Sequence, residues 1–438
     1  MAIPTRPRLR PSDVALRHPE WSAAASIYQL NTRQFTAEGT FRAAEAHLPR
    51  LAELGVDILW LMPVHEVGTL HRKGTLGSPY AVKDHYSVNP ELGTVADLRH
   101  FVDAAHSHGF RVLLDWVANH TAWDHVLVAE HPEWYLRGPD GGFVGTPWWD
   151  WDDIIDLDYD QPDLRDYMVS AMEYWVREVG VDGYRCDVAG FVPTDFWEDV
   201  RAALERIRPV FLLAEWESRE LHHRAFDMTY AWSWHEAMRR VAAGQADVDA
   251  LRVYYAWNAK AFRRDSIRML FVSNHDTNAW EGTASEQFGD MLDTAVALSV
   301  LSEGMPLIYN GQEAGYDKRL EFFERDPIVW RDHPMGDLYR WLLALKKAHP
   351  ALWNGTWGAP MVELPTTDRH AVLAFVRDAG DDSVVGIFNL SPESRTVRLL
   401  GGSAHGDHVD VSSGATVVVA PGTRVDLDPW QYFIFVRP

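Results

Sequence analysis

From about residue 25, short apolar runs alternate with amphipathic stretches of helical period, and the alternation repeats eight times. The runs are SIYQLN, VDILWLMPV, FRVLLDWV, VDGYRCDV, FLLAEW, FDMTY, SIRMLFVSN and MPLIYN. Regular strand–helix alternation predicts a parallel sheet, and eight units predict an α/β closed (β/α)8 TIM barrel. An open doubly wound sheet is the structural alternative, but no glycine-rich phosphate-binding turn follows the first run. The helical stretch after FLLAEW is short, which makes the fifth unit the least regular.

Two segments depart from a minimal barrel. Residues 117–162 are too long for a simple connection and too rich in Trp, Asp and Gly for a helix. They read as a short inserted lid subdomain. From 351 to 438 the pattern changes to alternating strands with Gly, Ser and Asp turns: HAVLAFVRD, SVVGIFNLS, TVRLL, ATVVVA and QYFIFV. This predicts a carboxy-terminal antiparallel β-sandwich domain, with the barrel formed by 1–116 and 163–350.

Composition narrows the partners. With 41 Lys and Arg against 63 Asp and Glu, the net charge is −22, which argues against nucleic acid, an anionic membrane surface or a polyanionic substrate. Neutral ligands stay open, as does the oligomeric state. The single cysteine, Cys186, rules out an intrachain disulfide and a multi-cysteine metal site. The first residues show no apolar segment of a secretory signal, so a cytoplasmic protein is expected. Twenty tryptophans are unusual, and TPWWDWDD (146–153) sits in a polar stretch rather than a core pattern. Flat rings beside hydroxyl-binding polar groups are what a sugar cleft needs.

The apolar runs share one oddity: most end in a charged or hydrogen-bonding group. Asp115 closes FRVLLD with Asn119 and His120 just beyond, Glu215 closes FLLAE, and His275 and Asp276 close SIRMLFVSNHD. GYRCD (183–187) carries both Arg185 and Asp187. Alternation puts Gly183, Arg185 and Asp187 on one face of the strand. Reacting groups of such barrels lie at the carboxyl ends of the strands, so these acids should converge on one mouth. Crowded carboxylates raise one another's pKa, which a purely structural design would avoid. Two carboxyl groups, one ionised and one protonated, are the requirement for glycoside cleavage, and a buried arginine would keep the ionised member charged.

The set DWVANH (115–120), GYRCD (183–187), Glu215 in LLAEW and SNHD (273–276) resembles the four signature regions of the alpha-amylase family, glycoside hydrolase family 13. IIDLD (154–158), GMPLIYNGQE (304–313) and GSPYAVKDHYSVNPELGT (77–94) resemble further segments of that family. The resemblance implies a retaining glycoside hydrolase acting through a covalent glycosyl-enzyme. Asp187 would be the nucleophile, Glu215 the general acid/base and Asp276 the third carboxylate. Arg185 would hold Asp187 ionised with Asp115 supporting it. His120 and His275 would hydrogen-bond the sugar before the cut, and Tyr80 would stack on it.

No cofactor is needed for that chemistry, although the resemblance also implies that Asn119 and Asp156 could ligate a structural calcium ion. The expected substrate is an α-1,4-linked, starch-type glucan or malto-oligosaccharide. The alternatives are an α-glucosidase, a cyclomaltodextrinase or neopullulanase-like enzyme, and a transglycosylase; a non-catalytic binding subunit fits a complete catalytic set poorly. The Lys–His pair that many alpha-amylases carry soon after the nucleophile is replaced here by Val188–Ala189–Gly190–Phe191.

Overall fold

A computed structural model describes residues 16–147, 149–402 and 404–438. Most of the amino-terminal stretch read for a targeting signal, and Trp148 of TPWWDWDD, fall outside the described residues.

All eight apolar runs are strands: β1 Ile27–Leu30, β2 Ile58–Leu61, β3 Arg111–Trp116, β4 Gly183–Cys186, β5 Phe211–Ala214, β6 Met228–Tyr230, β7 Ile267–Phe271 and β8 Met305–Tyr309. Each pairs in parallel with its sequence neighbours, and β1 pairs with β8, so the sheet closes into a barrel. The alternation of side chains sorts them between two cores. Inside the barrel lie Ile27, Ile58, Trp60, Leu113, Leu213, Tyr230, Met269 and Leu307. Outward residues such as Leu114, Tyr184, Cys186 and Leu212 pack under the helices.

The fifth crossover is the irregular one. Between β5 and β6 the chain makes a single 3-10 turn, Glu220–His222, where other units have full helices. The short helical stretch read after FLLAEW reduces to that turn, because ESRELHHR offers too few apolar positions to cover a barrel face.

Gly183 shows how the barrel brings its charges together. Its φ is +153°, and a Cβ there would lie 1.9 Å from the carbonyl oxygen of Phe211. Only glycine permits this approach of β4 to β5. In the same register, Arg185 faces Asp115 on one side and Leu213 on the other, two residues before Glu215.

The segment after β3 forms a small hairpin unit in which His120–Ala122 pairs antiparallel with Ile154–Asp156, enclosing a short helix, Val126–Glu130. Beyond the barrel, six strands form an antiparallel sheet, from Met361–Glu363 to Tyr432–Val436. A two-stranded ribbon, Arg395–Arg398 with Arg424–Leu427, packs against it through Val397, Val425 and Leu427. Arg377 of this sheet reaches back into the barrel domain, donating to the carbonyls of Leu301 and Ser302. Among the described residues, no helix is long and apolar enough to cross a membrane.

Candidate active site

Arg185 is fully buried at the mouth of the barrel and organises three carboxylates. Its Nη1 donates to Asp115 Oδ1 and to Asp187 Oδ1, each at 2.8 Å. Nη2 lies 2.9 Å from Glu215 Oε2 as an ion contact, and Nε donates to the Tyr230 hydroxyl at 3.3 Å. The cation also lies over the rings of Trp60 and Tyr80. A planar fork can serve all these partners at once, and a single ammonium cannot. Asp115 is fixed further by Trp60 Nε1–H and the Tyr80 hydroxyl, both at 3.0 Å.

The electrostatics follow from burial and crowding. Burial pushes Asp187 up, opposed chiefly by Arg185. Burial pushes Glu215 further, to about 7, with Arg185 opposing and Asp187 reinforcing the rise. Burial and then the Glu215 charge raise Asp276 well above the carboxylate range. Burial and crowding thus push all three carboxyls upward, while the Arg185 charge opposes the rise at each.

The histidines are uncharged. Burial holds His120 at about 4 and His275 well below its ordinary value. Gln29 Nε2 donates to His275 Nδ1 at 2.6 Å, leaving Nε2–H to donate to the Tyr80 hydroxyl at 2.8 Å. Tyr80 stacks on His275 with centroids 5.4 Å apart. Asp276 is placed by Asn274, whose Oδ1 accepts from the backbone N–H groups of Asp276 and Thr277 and so starts the π-turn Thr277–Glu281. Thus Tyr80, His120, Arg185, Asp187, Glu215, His275 and Asp276 come together around one mouth.

That mouth opens into a cavity of about 550 Å³. Its walls are aromatic. On the lid side Trp149 and Trp151 stack at 5.2 Å, and the row continues from Trp149 to Phe191 and Trp216 at 5.7 and 5.0 Å. Opposite, Trp280 packs on Phe322 and Phe323, from the loops after β7 and β8. Trp149 and Trp280 are more than half exposed, unusual for tryptophan and unlike the buried rings elsewhere in the chain. Lys73 ties down the tryptophan loop by donating to the Asp150 carbonyl and pairing with Asp152 at 3.0 Å. The lid tryptophans were visible in TPWWDWDD. Lys73, Trp280, Phe322 and Phe323 were not, because they sit singly on loops with no periodic pattern.

Asn119 and Asp156 also meet, but as a hydrogen-bonded clasp. Thr146 Oγ1 donates to Asp156 at 2.9 Å, and Asn119 Nδ2 bonds to Thr146 and Asp156 at 3.1 and 3.3 Å. Calcium takes about six to eight oxygen ligands. Here one carboxylate is already served by a hydroxyl and an amide, and Asn119 turns its nitrogen toward it. Among the described residues, the one group of three His or acidic side chains within metal-binding reach is Asp247, Asp249 and His370, where Asp249 is paired with Arg252 and Arg369. The donor set at Asn119 and Asp156 does not fit the calcium site expected there. Chelation followed by calcium addition should leave the melting temperature unchanged; a rise of several degrees with calcium would contradict this.

The alpha-amylase catalytic-domain model matches residues 24–336, which include every residue of this cluster. The chain belongs to the alpha-amylase family of glycoside hydrolases. Among curated relatives, alpha-amylase MalA of Haloarcula japonica is 30% identical over 418 residues, covering 90% of this chain. This chain spans only 59% of that relative's length. A cyclomaltodextrinase of a Bacillus species is 26% identical, covering 91% of this chain and 78% of its own. Among solved structures, the maltogenic alpha-amylase AmyB of Thermotoga neapolitana superposes with a TM-score of 0.86 at 29% identity, covering 94% of this chain and 98% of its own. An alpha-amylase of Lactobacillus plantarum gives 0.85 at 30% identity, covering 95% of this chain and all of its own.

Proposed function

We propose that the protein hydrolyses α-1,4-glucosidic bonds in malto-oligosaccharides and starch-type glucans with retention of anomeric configuration. The observation that carries this reading is one buried guanidinium, that of Arg185, shared by Asp187 and Glu215 at the floor of an aromatic-walled cavity. In the first step Glu215 gives its proton to the glycosidic oxygen as that bond breaks, and Asp187 forms a bond to the anomeric carbon. In the second, Glu215 takes a proton from water, which attacks the same carbon and releases Asp187. Arg185 favours the ionised form of Asp187, as the attacking group requires. Neutral His120 and His275 suit the hydroxyls of an uncharged sugar.

The two aromatic walls favour a chain bound across the cut over a single terminal sugar. Product analysis on starch, maltotriose, isomaltose, cyclodextrin and sucrose tests the reading. Short maltodextrins from starch and maltotriose, with isomaltose and sucrose untouched, are expected. Cleavage of isomaltose alone would contradict it. A second reading, glycosyl transfer, is favoured by the ring row Phe191–Trp216 that begins beside Glu215, where an acceptor sugar would compete with water. Products longer than the substrate would mark it.

A further inference from the structure

Val188, the residue after Asp187, has φ +34° and ψ +46°. Left-handed backbone is uncommon for any residue with a side chain and an outlier for a β-branched one. Such a conformation persists only where the surroundings over-determine it. Before it, Asp187 N–H bonds to the Trp116 carbonyl at 2.9 Å, extending the ladder between β3 and β4. After it, the Trp216 indole covers Gly190 so closely that a Cβ there would sit 2.1 Å from the ring. Phe191 N–H closes the turn onto the Val188 carbonyl at 2.9 Å. Fixed at both ends, the chain turns left-handed at Val188.

The turn points the Val188 N–H at the neighbouring strand end, where it donates to Glu215 Oε2 at 2.8 Å. Arg185 Nη2 approaches that same oxygen. We infer that Val188 is a positioning residue whose left-handed backbone holds Glu215 by Oε2, so that Oε1 is the oxygen that exchanges the proton with the glycosidic oxygen and with water. This rests on Glu215 as acid/base and adds which oxygen acts and what selects it.

The charged and titratable groups facing Glu215 are Asp187 and Arg185 on β4 and its end, Asp115 on β3, Tyr230 on β6 and Asp276 after β7. A hydrogen bond donated to a carboxylate favours its ionised form. Removing this one makes Glu215 hold its proton to higher pH.

The test replaces valine 188 in the full chain by its α-hydroxy acid, which puts an ester where the N–H was. The basic limb of the kcat/KM profile on nitrophenyl maltotrioside should move up by about one pH unit, with the melting temperature near wild type. Val188→Ala, which keeps the N–H, should leave that limb in place. Val188→Gly, which keeps the N–H and takes up left-handed backbone without strain, should likewise leave that limb in place. An unshifted limb in the ester overturns the inference. If the ester protein does not fold, a basic limb left unshifted in Gly190→Ala, whose Cβ would drive the Trp216 ring off the turn, overturns it instead. Glu215→Gln, assayed in parallel, tests the underlying reading separately. It should lose malto-oligosaccharide turnover while still releasing dinitrophenol, a leaving group that needs no acid; wild-type turnover of the oligosaccharide would sink the acid/base role whatever Val188 does.

Discussion

Asp187→Asn should lower kcat/KM on maltoheptaose by roughly four orders of magnitude or more, because it removes the carboxylate proposed to attack while keeping its volume. The fold should not suffer. The folded-state pKa of Asp187 is raised above its unfolded value, with burial as the main cause. Such a group favours folding below its unfolded pKa, and that contribution is lost as pH rises through the folded pKa. At neutral pH the ionised carboxylate is therefore a burden on stability. Arg185 also retains Asp115 and Glu215 as partners in the variant. The melting temperature should equal or exceed that of wild type. A variant that is both active and destabilised would point to a structural Asp187 instead.

Arg185→Lys should also be damaging, to a lesser degree, although it conserves charge. The guanidinium meets Asp115, Asp187, Glu215 and Tyr230 from three nitrogens, and an ammonium on a flexible stem leaves some of these buried groups unserved. A loss of about one charge-assisted hydrogen bond predicts a fall in kcat of roughly a hundredfold. The pH profile gives the sharper readout. Arg185 lowers the Asp187 pKa against burial, so weakening it moves the acid limb of kcat/KM upward. An acid limb unchanged from wild type would show that Arg185 does not hold Asp187 ionised.

How far the sequence reaches depends on what kind of physics sets each feature. The barrel strands are legible because burial on both faces leaves continuous apolar runs, and a charge that interrupts such a run, as at Arg185, stands out. The convergence of Asp115, Asp187, Glu215 and Asp276 follows from strand ends alone. The carboxy-terminal sheet was only partly legible. Met361–Glu363 and Gly406–Asp410 are strands that lack a run of alternating apolar residues, since much of each faces solvent. At Asn119 and Asp156 residue identity matches a calcium site, while the neighbour that shares their hydrogen bonds, Thr146, comes from a different stretch of the lid. Nor could sequence reveal the left-handed Val188, since valine is the wrong residue to suggest it. That conformation is held by the Asp187–Trp116 backbone hydrogen bond on one side and, on the other, by Trp216 lying on Gly190, 26 residues apart in the chain.

The central claim is that Asp187 forms a covalent bond to the sugar. Wild-type protein incubated with a 2-deoxy-2-fluoro maltosyl fluoride, whose fluorine slows release of the intermediate more than its formation, should gain the mass of one fluoro-maltosyl unit. Proteolysis and mass spectrometry should place that mass on the peptide carrying Asp187. No added mass under conditions where the reagent inactivates the enzyme, or a label on Glu215 or Asp276, would contradict the account.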